Sequence, residues 1–299
     1  MITSNQLTAV YTALHSLYKE GYQRTASGIE DQWKDFAMIA PSDTESEEYG
    51  FLLDLTFIRE WVGDRQIQRM KEAGFVIKNK DFEGTIGVLA NKINDRKLAS
   101  YQIPAKQLGN AARKFPNKLV FPLLKKGHET IGLDGQYFFD ANHPTQMHDG
   151  STLLQSNKID GDGEAWYLVD TTQEVKPIVY QDREAFKFAQ QTDATDESVF
   201  MRKEFLFGVE GRCNVGYGMW QTVLRSTEPL TAESVAKAQA QMMAYKAGNG
   251  DPIGIMPNVL LVPSALAMAG RKVCEASVLD NSTNVMKGAL KLTVSLWLG

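Results

Sequence analysis

Apolar positions along this chain switch between helical and strand-like spacing, and each switch marks an element. Leu7, Val10, Tyr11, Leu14, Leu17 and Tyr18 recur every three or four residues, which places them on one face of a helix over residues 1–20. Ser4 is the expected cap and Gly21 the expected stop. Residues 21–49 show no period and end in Asp43-Thr44-Glu45-Ser46-Glu47-Glu48, the pattern of an irregular arm with a solvated acidic loop. Within 56–90 the chain alternates, with Phe75, Ile77, Phe82, Ile86 and Val88 among Lys78, Asn79, Lys80, Asp81 and Glu83. Strand side chains alternate faces, so this reads as long, half-polar strands. An isolated hairpin is marginally stable in water, and Phe57 and Trp61 have no apolar periodicity nearby to bury them. The segment is therefore expected to lie on another copy of the same protein, as an assembly arm.

Helical spacing returns over 98–126, where Leu98, Tyr101, Leu108, Ala112, Phe115, Leu119 and Leu123 share one side. Pro104, Pro116 and Pro122 must start, kink or split this helix, because proline lacks the backbone donor and crowds the preceding turn. Residues 128–164 are loop-rich in Gly, Asp, Asn and His. Strand patterns follow at 165–170, 175–180, 199–209 and 215–225. The last two flank Gly211-Arg212-Cys213 and predict a β-hairpin that ties Phe205, Phe207, Tyr217, Met219 and Trp220 into the core. Thr231 caps a helix over 232–247, which stops at Gly248-Asn249-Gly250-Asp251-Pro252. A strand (253–262), a helix (264–277) and a strand (289–298) complete the pattern. Strands and helices mix without regular βαβ alternation, so the fold class is α+β.

Composition narrows the function. With 299 residues, 43% hydrophobic and 23% charged, the chain has enough length and apolar content for a sizeable core. No apolar run approaches the roughly 18 residues of a membrane span, and the first residues lack the pattern of a signal peptide. Cys213 and Cys274 are the only cysteines, too few for a disulfide framework. The formal charge is −4 and no basic run is longer than the pair Lys125-Lys126. Readers of nucleic acid carry basic patches or stripes. This composition argues against sequence-specific binding while leaving room for passive enclosure of nucleic acid.

Candidate chemistry is sparse. Asp140, His143, His148 and Asp149 could supply metal ligands, but they sit in a loop interrupted by Pro144, with no cysteine close in sequence. Asp160-Gly161-Asp162-Gly163-Glu164 starts like a calcium loop, yet Ala165 stands where the loop needs glycine and Thr171 where it needs glutamate. Gly208, Gly211, Gly216 and Gly218 match neither dinucleotide nor P-loop spacing. No G-x-S-x-G or H-E-x-x-H occurs. No catalytic residue, cofactor or metal is expected. The competing reading is an enzyme of unrecognised class with a site near His143 and His148.

Several stretches, read together and in order, carry a resemblance. They are Glu60-Trp61-Val62-Gly63-Asp64-Arg65, Phe82-Glu83-Gly84-Thr85, Tyr137-Phe138-Phe139-Asp140 with His143-Pro144, and Val175-Lys176-Pro177. The strongest is Glu204-Phe205-Leu206-Phe207-Gly208 followed by Gly216-Tyr217-Gly218-Met219-Trp220-Gln221. Ile255-Met256-Pro257, Leu261-Val262-Pro263 and Met286-Lys287-Gly288 complete the set. Across nearly its whole length the chain resembles the major head proteins of Mu-like tailed phages and prophages; it departs from them at Asn94-Asp95-Arg96-Lys97, where the family leads one to expect a more acidic patch.

That resemblance implies the Hong Kong 97-type capsid fold: an amino-terminal arm (1–49), an extended loop with flanking strands (50–95), the long helix of a peripheral domain (96–127), and an axial domain with the remaining peripheral strands (128–299). It further implies a structural virion protein rather than an enzyme, assembling with itself into pentamers and hexamers of an icosahedral shell around double-stranded DNA. A separate scaffolding protein, a maturation protease and a portal are implied as partners, and a decoration protein as a further one. Inter-subunit contacts are expected at Trp61, Asp64, Arg65, Phe75 and Phe82 of the loop and at Trp33 and Phe36 of the arm.

Overall fold

The computed structural model describes residues 2–24, 28–49, 76–95, 98–193, 195–279 and 282–299. Helix α1 (Ser4–Gln23) leads through the single turn α2 (Trp33–Phe36) into strands β1 (Ala37–Pro41) and β2 (Ser46–Glu48). Strands β3 (Val76–Lys78) and β4 (Lys80–Leu89) precede helices α3 (Ala90–Asn94), α4 (Gln102–Lys114) and α5 (Asn117–Lys125). Next come β5 (His143–Gln146), β6 (Thr152–Gln155), β7 (Lys158–Ile159), β8 (Trp166–Val169) and the long β9 (Ile178–Gln191). Helix α6 (Glu197–Arg202) joins β9 to the equally long β10 (Glu204–Tyr217). The remaining elements are β11 (Val223–Ser226), α7 (Ala232–Met243), β12 (Val259–Pro263), α8 (Ala267–Cys274), β13 (Val278–Leu279), β14 (Ser282–Thr283) and β15 (Lys291–Ser295).

Two sheets organise the molecule. The first runs β1-β9-β10-β4, with β1 parallel to β9 and the other pairs antiparallel. The second runs β15-β12-β8-β11-β7, with parallel pairs at both edges. Its central strands, Trp166-Tyr167-Leu168-Val169 and Val259-Leu260-Leu261-Val262, are buried throughout, as their unbroken apolar runs require. One core spans both sheets, from Trp33 and Phe121 through Tyr217 and Trp166 to Val262 and Leu298.

Capping and proline positions match local chemistry. Thr3, one residue before the expected Ser4, caps α1: its hydroxyl accepts the Gln6 N–H at 3.3 Å, and Gln6 Oε1 accepts the Thr3 N–H at 2.8 Å. Thr231 caps α7 by the same reciprocal device with Ser234. Pro116 splits the expected long helix into α4 and α5, while Pro104 lies in the first turn of α4 and Pro122 stays inside α5.

Four expectations change. Gly21 does not end α1; it lies buried inside it, where a Cβ would strike the Lys106 carbonyl of α4. Residues 199–225 form no hairpin: 199–202 belong to α6, and Gly211-Arg212-Cys213 continue through β10 as a register shift against β9, a bulge rather than a turn. Residues 76–89 are not a ribbon without support. Strand β4 pairs with β10 along ten positions, from Glu204↔Leu89 to Cys213↔Lys80, and Val88 and Ile77 are buried in their own subunit. Nor is 28–41 an unstructured arm awaiting a neighbour: Trp33 packs against Tyr180 with ring centroids 4.7 Å apart, and Phe36 packs edge-on against Phe121 at 5.5 Å, both in the main core.

Candidate functional site

The enzymatic reading centres on His143, and the structure encloses that residue completely. Its ring lies parallel to Trp220 with centroids 4.0 Å apart, and its exposure is 0%. Nδ1 meets the Asp134 carboxylate at 2.5 Å, and Nε2 meets Asn157 Oδ1 at 3.0 Å. The orientation of Asn157 is set independently, because its Oδ1 accepts the Asp140 N–H and its Nδ2 donates to the Phe138 carbonyl at 2.8 Å. Nε2 is therefore a donor. These contacts bind the turn at Asp134, the start of β5, the β6–β7 link and the single turn at Trp220 into one buried knot. No substrate can reach the imidazole.

His148 lies in the turn after β5, exposed, with its backbone N–H on the Gly248 carbonyl at 2.9 Å. The Asp149 carboxylate closes that turn by accepting from Ser151 N–H at 2.8 Å and Oγ at 2.6 Å, and these bonds hold its pKa below the usual carboxylate range. Asp140 likewise caps its own loop through Asn142 N–H at 2.9 Å. Among the described residues no three His, Cys, Asp or Glu side chains are grouped to hold a metal. Both cysteines are buried, and burial pushes each thiol up to about 11, away from nucleophilic reactivity.

Of the expected contact residues, Trp61, Asp64, Arg65 and Phe75 lie outside the described residues. Phe82 is half-buried on β4, against Phe115 at 4.5 Å. Trp33 and Phe36 belong to the subunit's own core, held there by a side chain the sequence did not single out. Asn117, fully buried at the start of α5, accepts the Trp33 N–H through Oδ1 at 3.1 Å and donates to the Glu30 carbonyl at 2.9 Å. Arg113 adds ion pairing to Asp31 and donates to the Tyr22 carbonyl at 3.0 Å. Burial alone would raise the Asp31 pKa, but Arg113 and Lys34 outweigh it and hold the carboxyl below its ordinary range.

Outward-facing apolar groups occupy different places. Phe200 and Met201 on α6 are 78% and 71% exposed, near Leu89, 46% exposed, where β4 ends against the start of β10. A second such feature is an aromatic groove along α1, floored by Phe186 and Phe188 of β9 and walled by Tyr11, Tyr18 and Tyr22. Large exposed apolar groups of this kind mark surfaces that other proteins cover.

The family of the Mu-like prophage major head subunit gpT matches residues 7–298. The chain belongs to that family. Its head-subunit relatives include the major capsid protein of Escherichia phage Mu, 34% identical over 296 residues, covering 96% of this chain and 97% of the relative. The fold matches a subunit from the procapsid of bacteriophage JBD30, with TM-score 0.88 and 36% identity over 99% of this chain and 100% of that one. It also matches a chain from the JBD30 capsid decorated with minor capsid protein trimers, with TM-score 0.76 and 25% identity, over 93% and 95% of the two chains. The protein is thus a tailed-phage major capsid subunit of Hong Kong 97-type fold, a structural virion component that assembles with itself and is not an enzyme.

Proposed function

We propose that this head subunit forms pentamers and hexamers that close into an icosahedral shell around double-stranded DNA, held without sequence-specific contacts. The observation that carries this reading is the superposition of essentially the whole chain on the JBD30 procapsid subunit. Strands β9 and β10 with α4 and α5 serve as the peripheral domain, extended by β1 of the arm and β4 of the loop, and the β15-β12-β8-β11-β7 sheet with α7 and α8 as the axial domain. Residues 1–49 form the arm, although its aromatic anchors face inward, and 50–95 form the extended loop. Within that loop Trp61, Asp64, Arg65 and Phe75 contact a neighbouring subunit, whereas Phe82 packs on its own. A closed shell needs contacts between unlike patches of adjacent copies, and many modest contacts held at once reinforce each other.

A separate scaffolding protein, a maturation protease and a portal take part in assembly. The minor capsid trimers on the JBD30 capsid support a decoration protein here as well. Electron microscopy of the protein, expressed with the other head genes of its phage, tests the reading. Closed shells are the expected result, and Trp61→Ala is expected to abolish them while leaving the monomer's melting temperature unchanged. A protein that stays monomeric at high concentration under those conditions overturns it.

A further inference from the structure

The groove beside α1 holds two polar atoms without hydrogen-bond partners among the described residues. It consists of two clefts, of about 540 and 530 Å³, which share Tyr22, Gln23 and Phe186. Tyr18 Oη in one and Asp182 Oδ1 in the other are buried and unpartnered among the described residues. The other charges of the Asp182 cleft are already engaged, because Asp31 takes both Arg113 and Lys34. Asp182 is thus a carboxylate lining an aromatic cleft with no cation among the described residues to answer it. Burial alone pushes its pKa up, and no neighbouring positive charge pulls it back. A lone subunit gains nothing from this arrangement, since a half-buried carboxylate with one enclosed, unanswered oxygen is destabilising.

The cleft's chemistry defines what completes it. Tyr22, 43% exposed, and the half-buried Phe186 line the same cleft as the acid, a setting that favours a guanidinium or ammonium through both ion pairing and the ring faces. We propose that this cleft receives a lysine or arginine side chain from a second copy of this chain, so that Asp182 is paired only in the assembled shell. Charge complementarity and self-assembly select that occupant: 32 basic residues are carried by every copy, and in a shell other copies of the chain are the surfaces each subunit meets. Pairing that is unavailable to the free subunit rewards assembly without stabilising the monomer.

Asp182→Asn separates this role from a structural one. The substitution removes a half-buried charge that no described cation answers, so the free subunit is expected to melt at the same or a higher temperature, while shell yield at matched concentration falls at least fivefold. Unchanged shell yield, or a monomer that loses melting temperature in step with yield, overturns the proposal. A second measurement leaves the carboxylate in place. Ala185, exposed on the rim of the same cleft, is replaced by a photo-crosslinking phenylalanine in shells assembled from mixed ¹⁴N- and ¹⁵N-labelled chains. Crosslinked peptides that join light to heavy chains at a Lys- or Arg-containing segment are expected. Links confined to one chain, or links to apolar or acidic segments alone, overturn it.

Discussion

Asn117 ties its side chain to backbone groups of a distant segment, the Trp33 N–H and the Ile29 and Glu30 carbonyls, and that makes it more consequential than its size implies. Removing it strands the buried Trp33 N–H and Glu30 C=O, at about 1–3 kcal/mol for each unsatisfied group. Asn117→Ala is expected to lower subunit stability by about 2–4 kcal/mol in urea denaturation. A loss under about 0.5 kcal/mol, the scale of an ordinary surface substitution, would show that the arm is held by its aromatic rings alone. Asp170 offers a different residue-scale test. It is fully enclosed, and its carboxylate accepts from Thr172 N–H and Oγ at 2.9 and 2.6 Å, Gln173 Nε2 at 2.9 Å and Met256 N–H at 2.8 Å. Burial pushes its pKa up, but these bonds outweigh burial and hold it below the ordinary carboxylate value. A depressed native pKa gives stability that is fully present above the unfolded value, about 3.9, and is lost as pH falls through the lower native value. Melting curves from pH 7 down to about 2 should therefore show an acid-labile component below roughly pH 4. Asp170→Asn should flatten that component, and an unaltered acid limb would refute the assignment.

At the scale of elements, α1 and α4 touch backbone to backbone. A Cβ on Gly109 would collide with the Tyr18 carbonyl and the Tyr22 N–H, as one on Gly21 would with Lys106. Gly109→Ala is expected to lift α1 from α4, with an overpacking cost of about 1–3 kcal/mol or more. Hydrogen exchange should then accelerate across residues 4–23 and leave β8 unchanged; uniform acceleration would mean that the crossing supports the whole fold. The apolar faces of α1 and α7, the Thr231 cap and the apolar run of β12 were legible in the sequence because they are local signals. The bulge in β10 was not. Gly211-Arg212-Cys213 reads as a turn until its neighbours β9 and β4 are known, and those neighbours decide it. The same holds for Gly21, a helix stop by local rules and a helix contact in fact, and for Trp33 and Phe36, whose partners Asn117, Phe121 and Tyr180 lie more than eighty positions away. The candidate enzyme site dissolved for a related reason: loop spacing placed His143 near other ligand types, but only the fold shows that its two nitrogens are both used.

For the whole molecule, family membership was legible from motifs spread along the chain, while the groove at Asp182 was not, because its walls come from α1, the arm, α4 and β9. The core has a further consequence. It brings Trp33 and Phe36 together with Phe121, and Phe121 with Trp297 and Leu298, so residues some 260 positions apart close one unit. Gln32 reaches the Val294 carbonyl at 3.0 Å and Lys291 reaches Asp35 at 2.9 Å across the same seam. Contacts of such separation must pay for loop closure before they return any energy, and chains built on them fold slowly. Refolding followed by tryptophan fluorescence is expected to take on the order of a second or longer, with light scattering from particles rising only after it is complete. Scattering that rises together with fluorescence would contradict this order. On that order of events the seam would act as a clock: a chain whose distant segments have not yet met would lack a finished surface to offer, and shells would grow only from subunits that had already passed their own slowest step.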